Sequence, residues 1–207
     1  MKHLVAIVGT NSKLSTNRQL LEYMKEHFKQ QAEIELIEIK GIPIFKKSAG
    51  MQVPEETRKI AAKIEQSDGV IIGTPEYDHA VPAALLSLLA WLSYGQHPLV
   101  DKPVMITGAS FGTLGSSRAQ AQLRQVLDSP EIKARIMPSS EFLLDHSLEA
   151  FQDKEHLVNK ELADQLDGLF EDFIEFIDIS SQLGNAHAAN KQQAKDFSWE
   201  SSDKRER

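Results

Sequence analysis

Leu4-Val-Ala-Ile-Val-Gly-Thr-Asn-Ser-Lys-Leu-Ser-Thr-Asn17 is the stretch whose reading decides the fold. Leu4 to Val8 is a short apolar run rich in β-branched residues, the signature of a strand covered on both faces in a parallel sheet. From Asn17 the period changes: Leu20, Leu21, Met24 and Phe28 recur at three- and four-residue spacing, which predicts a helix starting near Thr16 or Asn17. Between strand and helix lie Gly9, the hydroxyl residues Thr10, Ser12, Ser15 and Thr16, and the amides Asn11 and Asn17.

Such a loop suits an anion. The first N–H groups of a helix have no intrahelical partner and carry the positive end of its dipole, and hydroxyls add further donors. Ser15, Thr16 or Asn17 would equally serve as a simple helix cap. Neither G-x-G-x-x-G nor G-x-x-x-x-G-K-[ST] is present, so the dinucleotide fingerprint and the Walker loop are both missing, which favours a mononucleotide phosphate.

At 207 residues with 41% hydrophobic content, the chain suits one α/β domain plus an appendage. Its net charge of −7 argues against nucleic acid or an anionic membrane surface as main partner. It has no cysteine, which excludes disulfides, thiolate catalysis and iron–sulfur clusters. Met1-Lys2 leads straight into the first strand with no signal-like segment, so a cytoplasmic protein is expected.

Further along, Ile34 to Ile39 alternates as a more exposed edge strand, and Gly41 to Val53 reads as a loop. A helix runs from Pro54 to Gln66, and Gly69 to Gly73 is a buried strand. A helix opens at Pro82, Pro103 to Gly108 is a fourth strand, and a helix carrying Ala119, Leu123, Val126 and Leu127 follows Gly115. A fifth strand is expected around Arg135 to Leu144 and a last helix from about Lys154 to Ser180. This alternation predicts a doubly wound parallel α/β sheet with helices on both faces. Ligands of such sheets bind beyond the carboxyl ends of the strands, where the winding reverses. That gathers the first loop with Thr74-Pro-Glu-Tyr-Asp-His79 and with Gly108-Ala-Ser-Phe-Gly-Thr-Leu-Gly-Ser-Ser117.

On these residues the chain resembles, over about residues 3 to 178, the NADPH-dependent FMN reductase family of flavodoxin-like flavoproteins, which includes quinone, azo-dye and chromate reductases. The family's G-S-x-R-x-x-S-x-N phosphate loop corresponds to Gly9 to Asn17, with Thr10, Ser15 and Asn17 matching in kind. Ser12 stands in place of the arginine, so a charge partner for the phosphate is absent or comes from Lys13 or Arg18. P-E-Y-N-x-x-x-P corresponds to Pro75 to Pro82, with Asp78 for asparagine, and G-A-S-x-G-x-x-G to Gly108 to Gly115.

The resemblance implies a flavodoxin-like five-stranded sheet of order 2-1-3-4-5 over residues 1–180, and FMN held by Thr10, Ser12, Ser15, Thr16, Asn17, Pro75, Glu76, Tyr77, Asp78, His79, Ser110, Gly112 and Gly115. NAD(P)H would be the co-substrate and a quinone-like or other small molecule the acceptor. The chemistry belongs to the cofactor, so no catalytic side chain is expected. A flavodoxin-like electron carrier and a non-catalytic FMN- or phosphate-binding regulatory module are the alternatives.

Glu76 is expected to act through its backbone only, and His79 either contacts ligand or is a solvated loop histidine. Asp78 either faces the flavin ring or caps the following helix. Trp91 reads as a core or interface aromatic. No histidine pairing has metal-ligand spacing, so no metal is expected. Ala83 to Leu92 is apolar almost all round, which calls for a second partner surface and predicts a homodimer or homotetramer. The tail, residues 181–207, is polar and expected to be disordered, unless Phe197 and Trp199 dock it.

Overall fold

The computed structural model describes residues 1–47, 52–138, 141–153 and 156–197. In chain order the elements are β1 (Lys2–Val8), α1 (Thr16–His27), β2 (Ala32–Glu38), α2 (Glu55–Gln66), β3 (Gly69–Gly73), α3 (Ala83–Gly95), β4 (Pro103–Ala109), α4 (Ser117–Leu127), β5 (Arg135–Ile136), β6 (Phe142–Leu144), α5 (Lys160–Ser181), a 3-10 turn (Gly184–Ala186) and α6 (His187–Phe197). Every ladder is parallel and the order is β2-β1-β3-β4-β5, flavodoxin-like, with helices on both faces.

The period-2 pleat of the central strands divides their side chains between two cores. Val5, Ile7, Val70, Ile72, Val104 and Ile106 pack with Ala61, Leu88, Leu123 and their neighbours on α2, α3 and α4. Leu4, Ala6, Val8, Ile71 and Met105 pack with Leu20, Met24, Phe170 and Phe173 of α1 and α5. The edge strand β2 alternates buried and exposed positions at its start, as its sequence does.

The fifth strand is two short ones. Arg135 pairs with Pro103 and Phe142 with Thr107, so both pieces extend the same edge of β4 with a break between them. The last helix starts six residues later than its apolar pattern suggests, because Asn159 caps it, accepting hydrogen bonds from Glu161 N (2.9 Å) and Leu162 N (3.3 Å).

The apolar helix α3 finds its second surface within its own chain. Phe45 N donates to Ser87 Oγ (2.6 Å), Trp91 Nε1 donates to Pro43 O (2.8 Å), and the Phe45 ring meets those of Trp91 and Tyr94 at 4.9 and 5.4 Å. Trp91, 2% exposed, is a core residue.

Within the polar segment that begins at residue 181, residues His187–Phe197 form α6. It is held at Asp101, a partly buried turn residue at φ 58° that accepts from Arg135 (3.1 Å), Asn190 (3.0 Å) and His187 (3.0 Å). Lys191 pairs with Glu65 at 2.7 Å, and Ala194 is fully buried, its small side chain letting α6 approach closely. Trp199 lies outside the described residues. No helix among the described residues is long and apolar enough to cross a membrane.

Candidate active site

The loops that follow β1, β3 and β4 converge at the carboxyl ends of the strands around an open crevice of about 650 Å³, within the size range of small-molecule sites. Ser15, Thr16, Asn17, Pro75, Glu76, Tyr77, Asp78, His79, Ser110 and Gly112 line it. Three residues expected there do not. Thr10 is buried, its hydroxyl 2.9 Å from that of Tyr77, and it also accepts Ser12 N at 3.1 Å; the Ser12 hydroxyl is turned to Leu14 O. Gly115 is a packing position: at φ 54° it lies in the left-handed region, and a Cβ there would come within 2.5 Å of the Leu143 backbone.

α1 starts at the crevice. Ser15 caps it, accepting Arg18 N at 3.2 Å, which leaves its own hydroxyl proton to give. The N–H groups of Thr16 and Asn17 open the helix without an intrahelical acceptor. Arg18 does not reach into the crevice as a charge partner. Its guanidinium donates to Glu38 (2.5 and 2.7 Å) and to Ser12 O and Lys13 O (2.9 and 3.0 Å), clamping the loop from behind. The Glu38 hydrogen bond raises its already high pKa.

Asn17 also works structurally. Its amide exchanges two hydrogen bonds with the backbone of Ala109, tying the start of α1 to the end of β4. The Thr16 hydroxyl is 2.8 Å from that of Ser147, a buried residue on the loop after β6. A fourth loop therefore supports the first, which the sequence reading missed.

Glu76 acts through its side chain, contrary to the backbone role expected. Its carboxylate accepts the N–H groups of Arg118 (2.9 Å) and Ala119 (3.2 Å) at the start of α4. Burial pushes its pKa up, but the hydrogen bonds from His79 and from those two N–H groups, with the Arg118 charge, outweigh it and hold the carboxyl below its ordinary value. Asp78 and His79 form a two-residue turn at φ 49° and 63°, closed by Tyr77 and Ala80. Asp78 is exposed and does not cap α3, whose start at Pro82 has no side-chain cap. Leu14, Ala109, Phe111, Thr113, Leu114 and Arg118 complete the wall. Of these, Phe111 and Leu14 stand unusually exposed at the mouth, at 65% and 90%.

This crevice fits a planar ligand with one phosphate. Helix N–H groups and hydroxyls line it, and at Gly112 a Cβ would meet nothing within 4 Å. The model of NADPH-dependent FMN reductases matches residues 2–149. The chain belongs to that family. Family members take hydride from a reduced nicotinamide nucleotide onto FMN, and this chain is such an FMN-dependent reductase, with NAD(P)H as co-substrate. It is 51% identical to the NADH:(hydroxy)cinnamate reductase subunit CrdA of Vibrio ruber over 95% of this chain and 96% of that one. It is 39% identical to the NADH-dependent flavin reductase subunit 2 of Lactobacillus johnsonii over 84% and 97%. Among solved structures, the FerB flavoenzyme NAD(P)H:(acceptor) oxidoreductase of Paracoccus denitrificans superposes with a TM-score of 0.76 at 25% identity, over 87% of this chain and 99% of that one.

Proposed function

We propose that the protein is a cytoplasmic NADH-preferring reductase that holds FMN in this crevice and passes its electrons to a quinone-like or other small planar acceptor. The observation that carries the reading is the convergence of the α1 N-terminus with the loops after β3 and β4 on one open crevice. Ser15, Thr16 and the first N–H groups of α1 would hold the phosphate, and Pro75 to His79 with Ser110 and Gly112 would lie along the ring system. Thr10 and Arg18 act through other residues, Thr10 by fixing the Tyr77 hydroxyl and Arg18 by clamping the loop carbonyls. Bound FMN would supply the hydride chemistry; the chain would position it, with Tyr77, Phe111 and Leu114 exposed along the crevice where a second planar molecule would meet it. Nicotinamide and acceptor then use that position in turn, which gives ping-pong kinetics.

The purified protein should take up one FMN per chain, and anaerobic NADH should bleach its visible band. FMN binding without nicotinamide reduction would select the electron carrier instead, and failure to bind FMN at micromolar concentration would select the regulatory module.

The relatives from Vibrio ruber and Lactobacillus johnsonii are named as subunits, which supports a multi-subunit enzyme, here a homodimer or homotetramer. With the inner side of α3 in the core and much of its outer side under Pro43 and Phe45, the half-buried strip Ala84, Leu86 and Ala90 is the part left for a second copy. Leu86→Lys should give a smaller species in light scattering. A wild-type protein already monomeric at micromolar concentration would remove this part of the reading.

A further inference from the structure

His79 is placed where its ring can change protonation state with a partner ready in each. The turn that carries it is closed by Tyr77 N to Ala80 O (3.0 Å) and Ala80 N to Tyr77 O (2.9 Å), and both central residues have positive φ, the mirror-image geometry of tight hairpins. His79 Nδ1 lies 2.6 Å from an Arg118 guanidinium nitrogen and 3.2 Å from Glu76 Oε1. Arginine can only donate and an ionised carboxylate can only accept. An unprotonated Nδ1 is thus served by Arg118 and a protonated one by Glu76, whose charge is secured by the α4 N–H groups. With Nδ1 turned to this pair, Nε2 is the ring nitrogen left for the crevice, which His79 lines. The charged groups facing the ring are Glu76 on its own loop and Arg118 on α4, with exposed Asp78 beside it in the turn. The Tyr77 hydroxyl is engaged with Thr10.

We propose that His79 is a catalytic acid of the oxidative half-reaction, delivering a proton from Nε2 to the oxygen of a carbonyl-type acceptor. Reduction of a quinone to a hydroquinone adds two electrons and two hydrogens. One hydrogen arrives with both electrons as hydride from the reduced cofactor, and the other arrives as a proton on the second carbonyl oxygen. The imidazolium gives up that Nε2 proton, stays bonded through Nδ1–H to Glu76 as a neutral ring, and is recharged by water at the crevice mouth. The proposal rests on the reading of the crevice as the flavin site.

The test compares two oxidants of the NADH-reduced protein in stopped flow: benzoquinone, which needs a proton, and ferricyanide, which takes one electron and none. His79→Asn keeps a residue that tolerates the left-handed turn and offers Arg118 an acceptor oxygen, but has no Nε2 proton. Its quinone-to-ferricyanide rate ratio should fall on the order of 100-fold. In the wild type that ratio should decline as pH rises, and in the variant it should be flat. Independently of turnover, NMR of the oxidised FMN-loaded protein should show the His79 imidazole nitrogen resonances moving in Glu76→Gln, as loss of the Glu76 partner requires. A variant ratio within twofold of the wild type, an unchanged pH profile or unmoved resonances would each overturn the proposal while leaving the flavin site standing. If NADH does not reduce the wild-type protein, the reading of the crevice falls and the proposal with it.

Discussion

Asn17, at the start of α1, and Ala109, at the end of β4, are joined by two hydrogen bonds: Asn17 Nδ2 donates to Ala109 O at 2.8 Å, and Ala109 N donates to Asn17 Oδ1 at 2.9 Å. Asn17 is 2% exposed, so both bonds are shielded from water. Asn17→Ala would leave the N–H and C=O of Ala109 unpaired at the floor of the crevice. The expected loss is about 2–3 kcal/mol of folding stability, seen as a melting temperature of the FMN-free protein lower by about 5–10 °C for a domain of this size. A change below about 2 °C would show that the clasp is not what joins the two elements.

Glu76 supports a pH prediction. Its carboxyl is held below the ordinary carboxylate value in the folded protein by the net effect of its hydrogen bonds, against the cost of burial. A depressed folded pKa means that the unfolded chain binds the proton more readily. The stabilisation is therefore complete above the unfolded carboxylate range and is lost as pH falls through the lowered folded value. Glu76→Gln should be less stable than the wild type at pH 7, and the difference should shrink toward zero as pH falls below the ordinary carboxylate range. Urea midpoints at several pH values measure this, and a pH-independent difference would mean that shape rather than charge matters.

The strand order was legible because Leu4 to Val8, Gly69 to Gly73 and Pro103 to Gly108 are apolar runs that only a two-sided core can absorb. The three loops were legible because their composition differs from that of ordinary connections. The roles within them were not, since those depend on contacts between distant positions. Thr16 meets Ser147 across 131 residues and Glu76 meets Arg118 across 42; no local pattern records either. Arg118 reads as an ordinary helix residue until the turn at Asp78 and His79 is placed beside it. The same holds for α6, whose polar sequence matches a disordered tail and whose anchor, Asp101, lies 86 residues before His187.

Truncation after Ser181 tests that anchor. α6 docks at the residues preceding β4 and β5, the end of the sheet opposite the crevice, through Asp101, Glu65 and Lys133. Exposed ion pairs contribute little, so the buried Ala194 and the Asn190 bonds to Asp101 supply most of the effect, about 1–2 kcal/mol. Melting should drop by about 2–6 °C while FMN affinity stays within twofold. An unchanged melting temperature would mean that the helix is not held in solution, and a large loss of FMN would mean that the two ends of the sheet communicate.

Asp78 is exposed in the turn at the crevice, where family members resembling this chain carry asparagine, and its left-handed φ of 49° is one that asparagine adopts more readily. It lines the crevice and does not cap α3. A ring that gains negative charge on reduction is harder to reduce beside a carboxylate, so Asp78→Asn should raise the midpoint potential of bound FMN. A partly solvent-screened charge is worth on the order of 1 kcal/mol, or about 20 mV for a two-electron couple. The substitution also relieves the turn, so folding stability should rise slightly rather than fall. Spectroelectrochemical titration of the two proteins measures the shift. A potential that stays put, or moves down, would mean that the Asp78 carboxylate is turned to solvent and its field is screened from the ring.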